Sequence, residues 1–593
     1  MDSNGPFLFY NSRPVLRWSA QGPVKKAPPR HEEKPLSTQD WHERVSQPRY
    51  SMIEEKDRFV VMRDGIRIAC DIYRPDASGK KFPALLSTSL YGKDVQKVTD
   101  ERRPLSPRHG NGGQEAGDTR YFVDRGYVHV IADARGSGDS EGEYNFQGTL
   151  EQQDGYDMIE WIAAQPWCDS NVGMLGMSYF AVVQQLIAGT QPPHLKAIAP
   201  YEAYTDRYRH SVYQGGIFNE GFFHQWWGHV SIGTLRPIIF KYHPEEEIRR
   251  RIEALEKTPE IQDSPYLHIQ LKYPEKNPLT FDFLIEPNDG PYYWERSAYT
   301  KFERIKIPVL LMARWSAWDI HLPGAFSSWD GLNTTKKLIC FDTLETTGPR
   351  RPWRDHQDIL LRWYDHWLKG NDTGMMDEPP IRLLVKGPNT WRDEQEWPLK
   401  RTQWTKLYLQ KDGGLAREAG GEGAQSFSND PYTLPGQKAP GVKFTTPVLE
   451  QDLEVTGPSV LNLWATIDKP ETNWIVNVKD QAPDGSVRMV TKGWLRASHR
   501  ELDAARSKPY KPYHPHTRNQ PVPVNEPVEY AIDLRETSMV FAKGHRLVLE
   551  IRAQDTLVEE PIWYHQTSAV KTQHTVHCGG KNGSYVLLPV IPG

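Results

Sequence analysis

The chain has 593 residues, 38% hydrophobic and 25% charged, with 20 Trp, 27 Tyr and 19 Phe. That composition can bury a large core and excludes a mainly disordered protein. Lys and Arg number 72 against 76 Asp and Glu, a formal charge of −4, and no basic block offers itself to a phosphate backbone, so no nucleic-acid partner is expected.

Cys70, Cys168, Cys340 and Cys578 stand far apart with no C-x-x-C pair. This disfavours a disulfide scaffold or a cysteine zinc site and fits a reduced, cytoplasmic setting. The opening residues, MDSNGPFLFYNSRPVLRW, lack a basic stretch followed by an apolar one, so no secretory signal is expected. The uncharged run from Ser170 to Pro193 is broken by Asn171, Gln184 and Gln185, whereas a membrane span needs about 20 predominantly apolar residues. No membrane partner is expected.

In chain order, residues 1–50 are rich in Pro and charge without periodicity and read as an arm. From 51 to 203 strands and helices alternate: a hairpin turning at Asp64-Gly65, the buried strand FPALLSTSL, the strand YVHVIADA entering a Gly-rich loop, the helix EQQDGYDMIEWIAAQ, then strand, sharp turn and helix in NVGMLGMSYFAVVQQLIAG. Such alternation implies a mainly parallel sheet. Residues 204–299 are aromatic-rich and helical and read as an inserted cap. The α/β pattern resumes over 300–378 with IKIPVLLMARW and the helix HQDILLRWYDHWLKG. From 379 to 593 short β segments follow one another, with a hairpin signal at Pro483-Asp484-Gly485, as in a β-sandwich.

The sharpest local signal is Gly176-Met177-Ser178-Tyr179-Phe180 between a buried strand and an apolar helix. A nucleophile elbow needs that setting, because a tight turn lifts the hydroxyl out at the sheet edge and the helix N-terminus behind it favours developing negative charge. The usual G-x-S-x-G has glycine where Phe180 stands; Ala181 follows, so smallness is displaced by one position. The bland alternative is a buried turn.

With ADARGSGDSEGEY and QPWCDSNVGMLG before it, and RWYDHWLKG and a β-rich half after it, GMSYF resembles the cocaine-esterase and X-Pro dipeptidyl-peptidase group of α/β-hydrolases. The resemblance spans about Asp57 to Gly593 and implies an α/β-hydrolase sheet with an inserted helical cap, followed by a jelly-roll-like β-sandwich. It implies an oxyanion hole from the Tyr91 hydroxyl in SLYGKD and the Tyr179 backbone N–H, and an acid at Asp319 in WSAWD. Tyr91 as a strand-end aromatic and Asp319 as a helix cap remain the structural alternatives. The histidine expected after the last sheet strand is missing, since Thr347 stands where it belongs. His356 in GPRRPWRDH is the nearest substitute and gives the chain order Ser178, Asp319, His356. His321 reads as a neighbour, and His366 lies inside a helix.

Gly136-Ser137-Gly138 superficially matches a dinucleotide loop, but the third glycine comes late and no helix opens there. His565, His574, His577 and Cys578 could suggest a metal, but the histidines read as solvated surface residues instead. Phe222, Phe223, Trp226 and Trp227 read as core packing that also suits the wall of an acyl pocket. The expectation is a serine hydrolase acting on an ester, thioester or amide through an acyl-enzyme, with a small-molecule acyl substrate and neither metal nor organic cofactor. Two alternatives stand beside it: an acyltransferase resembling polyketide transferases, and a non-catalytic binding protein. Homo-oligomerisation stays open.

Overall fold

The computed structural model describes residues 41–96, 115–229, 238–262, 264–342, 352–429, 431, 438–555, 560 and 563–593. Most of the expected arm and Thr347 lie outside them. Glu43–Gly593 forms one compact unit.

Strands β1 (Met52–Val61) and β2 (Arg67–Pro75) make the hairpin expected at Asp64-Gly65, with Val61 opposite Arg67. Next come β3 (Phe82–Ser89), β4 (Val128–Asp133), β5 (Cys168–Met174), β6 (Leu195–Ile198), β7 (Val309–Arg314), β8 (Lys336–Phe341), β9 (Ile381–Val385) and β10 (Thr390–Glu394). They order as β1-β2-β4-β3-β5-β6-β7-β8-β9-β10, a ten-stranded sheet among the described residues. From β4 across to β9 every pairing is parallel. Every residue of β3 and β4 is buried, as a parallel sheet covered on both faces requires.

Ile381–Val385 was expected to open the β-sandwich but extends the α/β sheet instead, with Ile381 opposite Leu338. Its apolar residues are buried as a further parallel strand, and β10 closes the edge antiparallel to it.

Helices α1 (Thr149–Ala163) and α2 (Tyr179–Ala188) pack on the sheet. The cap holds α3 (Glu220–His229), α4 (Glu245–Leu255), α5 (Pro265–Lys272) and α6 (Pro278–Ile285). It also holds a two-residue hairpin, Tyr213–Gln214 with Ile217–Phe218, where only helix was expected. After β7 comes α7 (Leu322–Gly331) and after β8 comes α8 (Pro352–Lys369), whose Trp363 donates its indole N–H to Ile198 O behind the sheet.

The C-terminal half is an antiparallel β-sandwich centred on Leu453–Ile467, which pairs with Val528–Phe541 from Leu453–Phe541 to Ala465–Val528. It has its own core, including Leu461, Trp474, Ile532 and Leu549. The cap leans on this half: Phe222 stacks on Trp563 at 4.9 Å, and Gln566 N–H donates to Phe218 O. No helix among the described residues is long and apolar enough to cross a membrane.

Candidate active site

At the C-terminal end of β5 the backbone turns into α2 at Ser178, which adopts φ 56° and ψ −117°. This is a region that non-glycine residues occupy only at a cost of about 1–3 kcal/mol. Tyr201 O holds the turn by accepting from Ser178 N–H at 2.9 Å. Gly176 shows how Phe180 fits the elbow. A Cβ built on Gly176, itself at φ +135°, would lie 2.3 Å from Phe180 Cβ. The small residue in front of the serine thus makes room for the large one behind it, and Phe180 packs into the cluster of Tyr73, Ala116, Val123 and Ile131.

Ser178 is partly exposed, and its Oγ lies 3.1 Å from His321 Nε2. His321 occupies the N-cap position of α7 without using its side chain to cap it. What brings it there is a close approach of α7 to the segment after β6, since a Cβ on Gly324 would fall 1.9 Å from Ala203 O. On the other side of the imidazole, Nδ1 lies 3.7 Å from Glu202 Oε2. Glu202 is buried and also has positive φ, 58°. Tyr201 forms parallel bridges to both Met177 and Met312, so the next residue emerges between the elbow and the end of β7.

The Arg314 guanidinium, at that end of β7, grips Glu202 with Nε on Oε1 and Nη2 on Oε2, the latter at 2.6 Å. Burial works to raise the Glu202 carboxyl, but the arginine outweighs it and holds the carboxyl below its ordinary value. Burial also lowers His321, to about 4, against a smaller opposing pull from Glu202. The imidazole is therefore neutral at physiological pH. With its proton on Nδ1 toward Glu202, Nε2 is left to accept from the serine hydroxyl.

Asp319 and His356 do not complete this group. Asp319 sits in the turn two residues before His321, where Trp318 packs against Ile217, Ile475 and Trp494. The buried carboxyl has Oδ1 without a hydrogen-bond partner among the described residues. Burial pushes it well above the carboxylate range; Lys492 opposes the shift, and Glu560 and Asp555 add to it. It thus faces the β-sandwich. His356, in the first turns of α8, stacks on Phe341 at 4.0 Å and has Nδ1 3.1 Å from the Tyr201 hydroxyl. The structure thus brings Ser178 against His321 with Glu202 beyond it, and places Asp319 and His356 outside that contact.

Tyr91 follows the end of β3. Its hydroxyl oxygen accepts from Trp226 Nε1 at 3.1 Å, and its ring meets Tyr179 edge-on at 5.7 Å. Burial, aided by the charge of Glu115, raises this phenol well above its ordinary value. It is a neutral hydrogen-bond donor. The Tyr179 N–H is one of the helix-start donors that have no partner within the helix. Its side chain is anchored below: the phenol donates to Glu151 at 2.7 Å and meets the Tyr144 hydroxyl at 2.5 Å.

Elsewhere, Asp57, Asp71 and Asp94 bring carboxylate oxygens close enough for a cation, the one such group among the described residues. The ammonium of Lys93 already stands 2.5 Å from Asp57 and 3.3 Å from Asp94. The histidines expected at the surface are largely inside. His574 is buried with Nε2 2.7 Å from Thr472 Oγ1, and His565 is buried beside Asp555 at 3.0 Å. The loop at Gly136–Gly138 wraps a carboxylate instead of a phosphate: Asp133 accepts from the backbone of Lys93 and Asp139.

A strained serine at the strand-to-helix turn of a parallel sheet, in contact with a neutral histidine, defines a serine hydrolase of the α/β-hydrolase fold. The family comparisons agree. Residues 64–343 match the X-Pro dipeptidyl-peptidase (S15 family) model, and residues 373–587 match the X-Pro dipeptidyl-peptidase C-terminal non-catalytic domain. A putative serine esterase of Mycobacterium bovis is 28% identical over 86% of this chain and 92% of its own. The cocaine esterase of a Rhodococcus species is 26% identical over 90% of this chain and 97% of its own. A crystal structure of a CocE/NonD family hydrolase from Staphylococcus aureus superposes with a TM-score of 0.74, covering 91% of this chain and 94% of that one at 24% identity. The chain belongs to the cocaine-esterase and X-Pro dipeptidyl-peptidase family of α/β-hydrolases.

Proposed function

We propose that this protein hydrolyses carboxylic esters through an acyl-enzyme on Ser178, with His321 as the base and Glu202 as its orienting acid. The observation that carries the reading is the 3.1 Å contact between Ser178 Oγ and His321 Nε2 at the strained elbow. Ser178 Oγ attacks the carbonyl carbon as its proton passes to Nε2. The carbonyl oxygen becomes an oxyanion, which accepts from the Tyr91 hydroxyl and the Tyr179 N–H. Trp226 donates to the Tyr91 oxygen and so leaves the phenolic proton for the oxyanion.

The histidine returns its proton to the departing alkoxide, and water repeats the sequence in reverse. Glu202, kept ionised by Arg314, stabilises the imidazolium in each half-reaction. Its 3.7 Å separation from Nδ1 is one that closes on substrate binding, as catalytic contacts commonly tighten in the bound complex. Relatives named as esterases support an ester substrate and water as the acyl acceptor.

A fluorophosphonate probe tests the reading. The purified protein should be labelled, with concurrent loss of 4-nitrophenyl ester turnover, and Ser178→Ala should escape labelling. An unlabelled wild-type protein that turns over no ester would favour a binding role instead.

A further inference from the structure

Arg207 opens the turn that leads from the α/β sheet into the cap. Its side chain is 3% exposed, yet it meets no carboxylate among the described residues. Nη1 donates to the Tyr204 hydroxyl, while Nε and Nη2 have no hydrogen-bond partner. Other buried arginines are treated differently: Arg135, Arg296, Arg362 and Arg552 each hold a carboxylate within 2.9 Å, and Arg535 feels Asp533 and Glu536. Glu151, which shares the surroundings of Tyr204, is committed to the Tyr179 phenol and the Gln147 N–H. A buried guanidinium without a counter-ion is strongly destabilising unless something else offsets it.

Aromatic faces supply part of the offset. The guanidinium carbon lies 4.1 Å from the Phe146 ring centre, 5.0 Å from Tyr204, 5.5 Å from Phe283 and 5.6 Å from Phe223. Cation–π contacts are favourable but leave Nε and Nη2 without hydrogen-bond acceptors. This box adjoins the reaction centre through Trp226, which packs on Phe146 at 6.0 Å and donates its N–H to Tyr91.

We propose that Arg207 is a specificity residue that binds a carboxylate carried by the ester substrate, an inference that rests on the ester-hydrolase reading above. A carboxylate would accept from Nε and Nη2 together, the bidentate pairing for which guanidinium geometry is suited. The substrate would extend from Ser178 past Tyr91 along Trp226, and its carboxylate would meet the guanidinium by displacing one of the covering rings. The substrate class is then acidic esters.

Two pairs of esters test this, each pair differing only in whether a remote carboxylate is free or methylated. In one pair the carboxylate is on the acyl side, as in 4-nitrophenyl hydrogen adipate and 4-nitrophenyl methyl adipate. In the other it is on the leaving group, as in 4-carboxyphenyl and 4-(methoxycarbonyl)phenyl hexanoate. The wild type should favour the acidic member of one pair by about tenfold or more in kcat/KM. Arg207→Met should bring that ratio close to one, and Arg207→Lys should retain part of it.

Free adipate should raise the melting temperature of the wild type and not that of Arg207→Met, a readout independent of turnover. Ratios near one in both wild-type pairs, or a preference unchanged in Arg207→Met, would overturn the assignment. Failure of all four esters together with absent fluorophosphonate labelling would strike the hydrolase reading instead, and the adipate shift would then decide Arg207 by itself.

Discussion

Two buried carboxyl groups flank His321, one in space and one in sequence, and the protein treats them oppositely. Glu202 is gripped by Arg314 and held ionised against the penalty of burial. Asp319, two residues from the histidine, has one oxygen without a hydrogen-bond partner among the described residues, and burial pushes its carboxyl well above the carboxylate range. A carboxyl assists an imidazolium only if it carries charge, and a buried carboxylate keeps its charge only where a counter-charge or hydrogen bonds hold it. Proximity along the chain supplies neither. In the proposed mechanism the Glu202 side of the histidine is the functional one, and Asp319 lies where Trp318 packs against Ile475 and Trp494.

The comparison breaks most visibly at the base. His321→Ala should lower kcat by about five orders of magnitude, the scale seen when one member of a catalytic unit is lost. His356→Ala should remain within about tenfold of wild type. Steady-state kinetics on a 4-nitrophenyl ester decides the matter, and the reverse ranking would reinstate His356. At the acid, Glu202→Gln should cost up to about 10⁴-fold in kcat by removing the charge that supports the imidazolium. Asp319→Asn should cost less than about tenfold. Equal losses in the two variants would erase the distinction drawn above. One step smaller, Tyr91→Phe should lower kcat by about a hundredfold with little change in KM, as expected for a donor used in the transition state.

A titration sharpens the same contrast. Burial takes His321 down to about 4, so the base is already neutral well below the ordinary histidine range. The acidic limb of kcat/KM should fall near pH 4. A limb near pH 6.5 would indicate a more solvated histidine than the one against Ser178.

How much of this could be read from the sequence follows from how local each feature is. The elbow was legible because strand, turn and helix are contiguous and Gly176 stands two residues before Ser178. Tyr91 was singled out only through the family resemblance; the sequence itself shows a tyrosine just beyond a buried strand. The β-sandwich was legible from its succession of strands, although Ile381–Val385 went to the other sheet because pairing partners are not written in a strand's own pattern. Glu202 and His321 were not legible. Both lie in loops whose directions are fixed by distant contacts: the bridges of Tyr201 to Met177 and Met312, and the seating of Gly324 on Ala203. One signal was available, an acid two residues after Pro200 at the end of a buried sheet strand, where α/β sheets gather their functional groups.

Glu151 offers a smaller test, of the support beneath the proposed oxyanion hole. Burial raises its carboxyl to about 7, against the opposing effects of Tyr179 and the Gln147 N–H. A carboxyl whose folded pKa stands above its unfolded value binds more protons in the native state. Its contribution to stability is therefore fully present below about pH 4.5 and lost as pH rises through 7. A shift from 4.5 to about 7 corresponds to roughly 3 kcal/mol at most. His321 acts in the opposite sense: depressed to about 4, it adds stability as pH rises from 4 toward its ordinary value. The wild-type profile alone thus mixes two signs. The difference between wild type and Glu151→Gln removes the histidine, which both proteins share. Urea unfolding at pH 5 and pH 8 should show Glu151→Gln gaining about 2 kcal/mol relative to wild type between the two. A difference that does not change with pH would mean that the carboxyl under Tyr179 is already ionised at pH 5, and that Tyr179 is held by a charge.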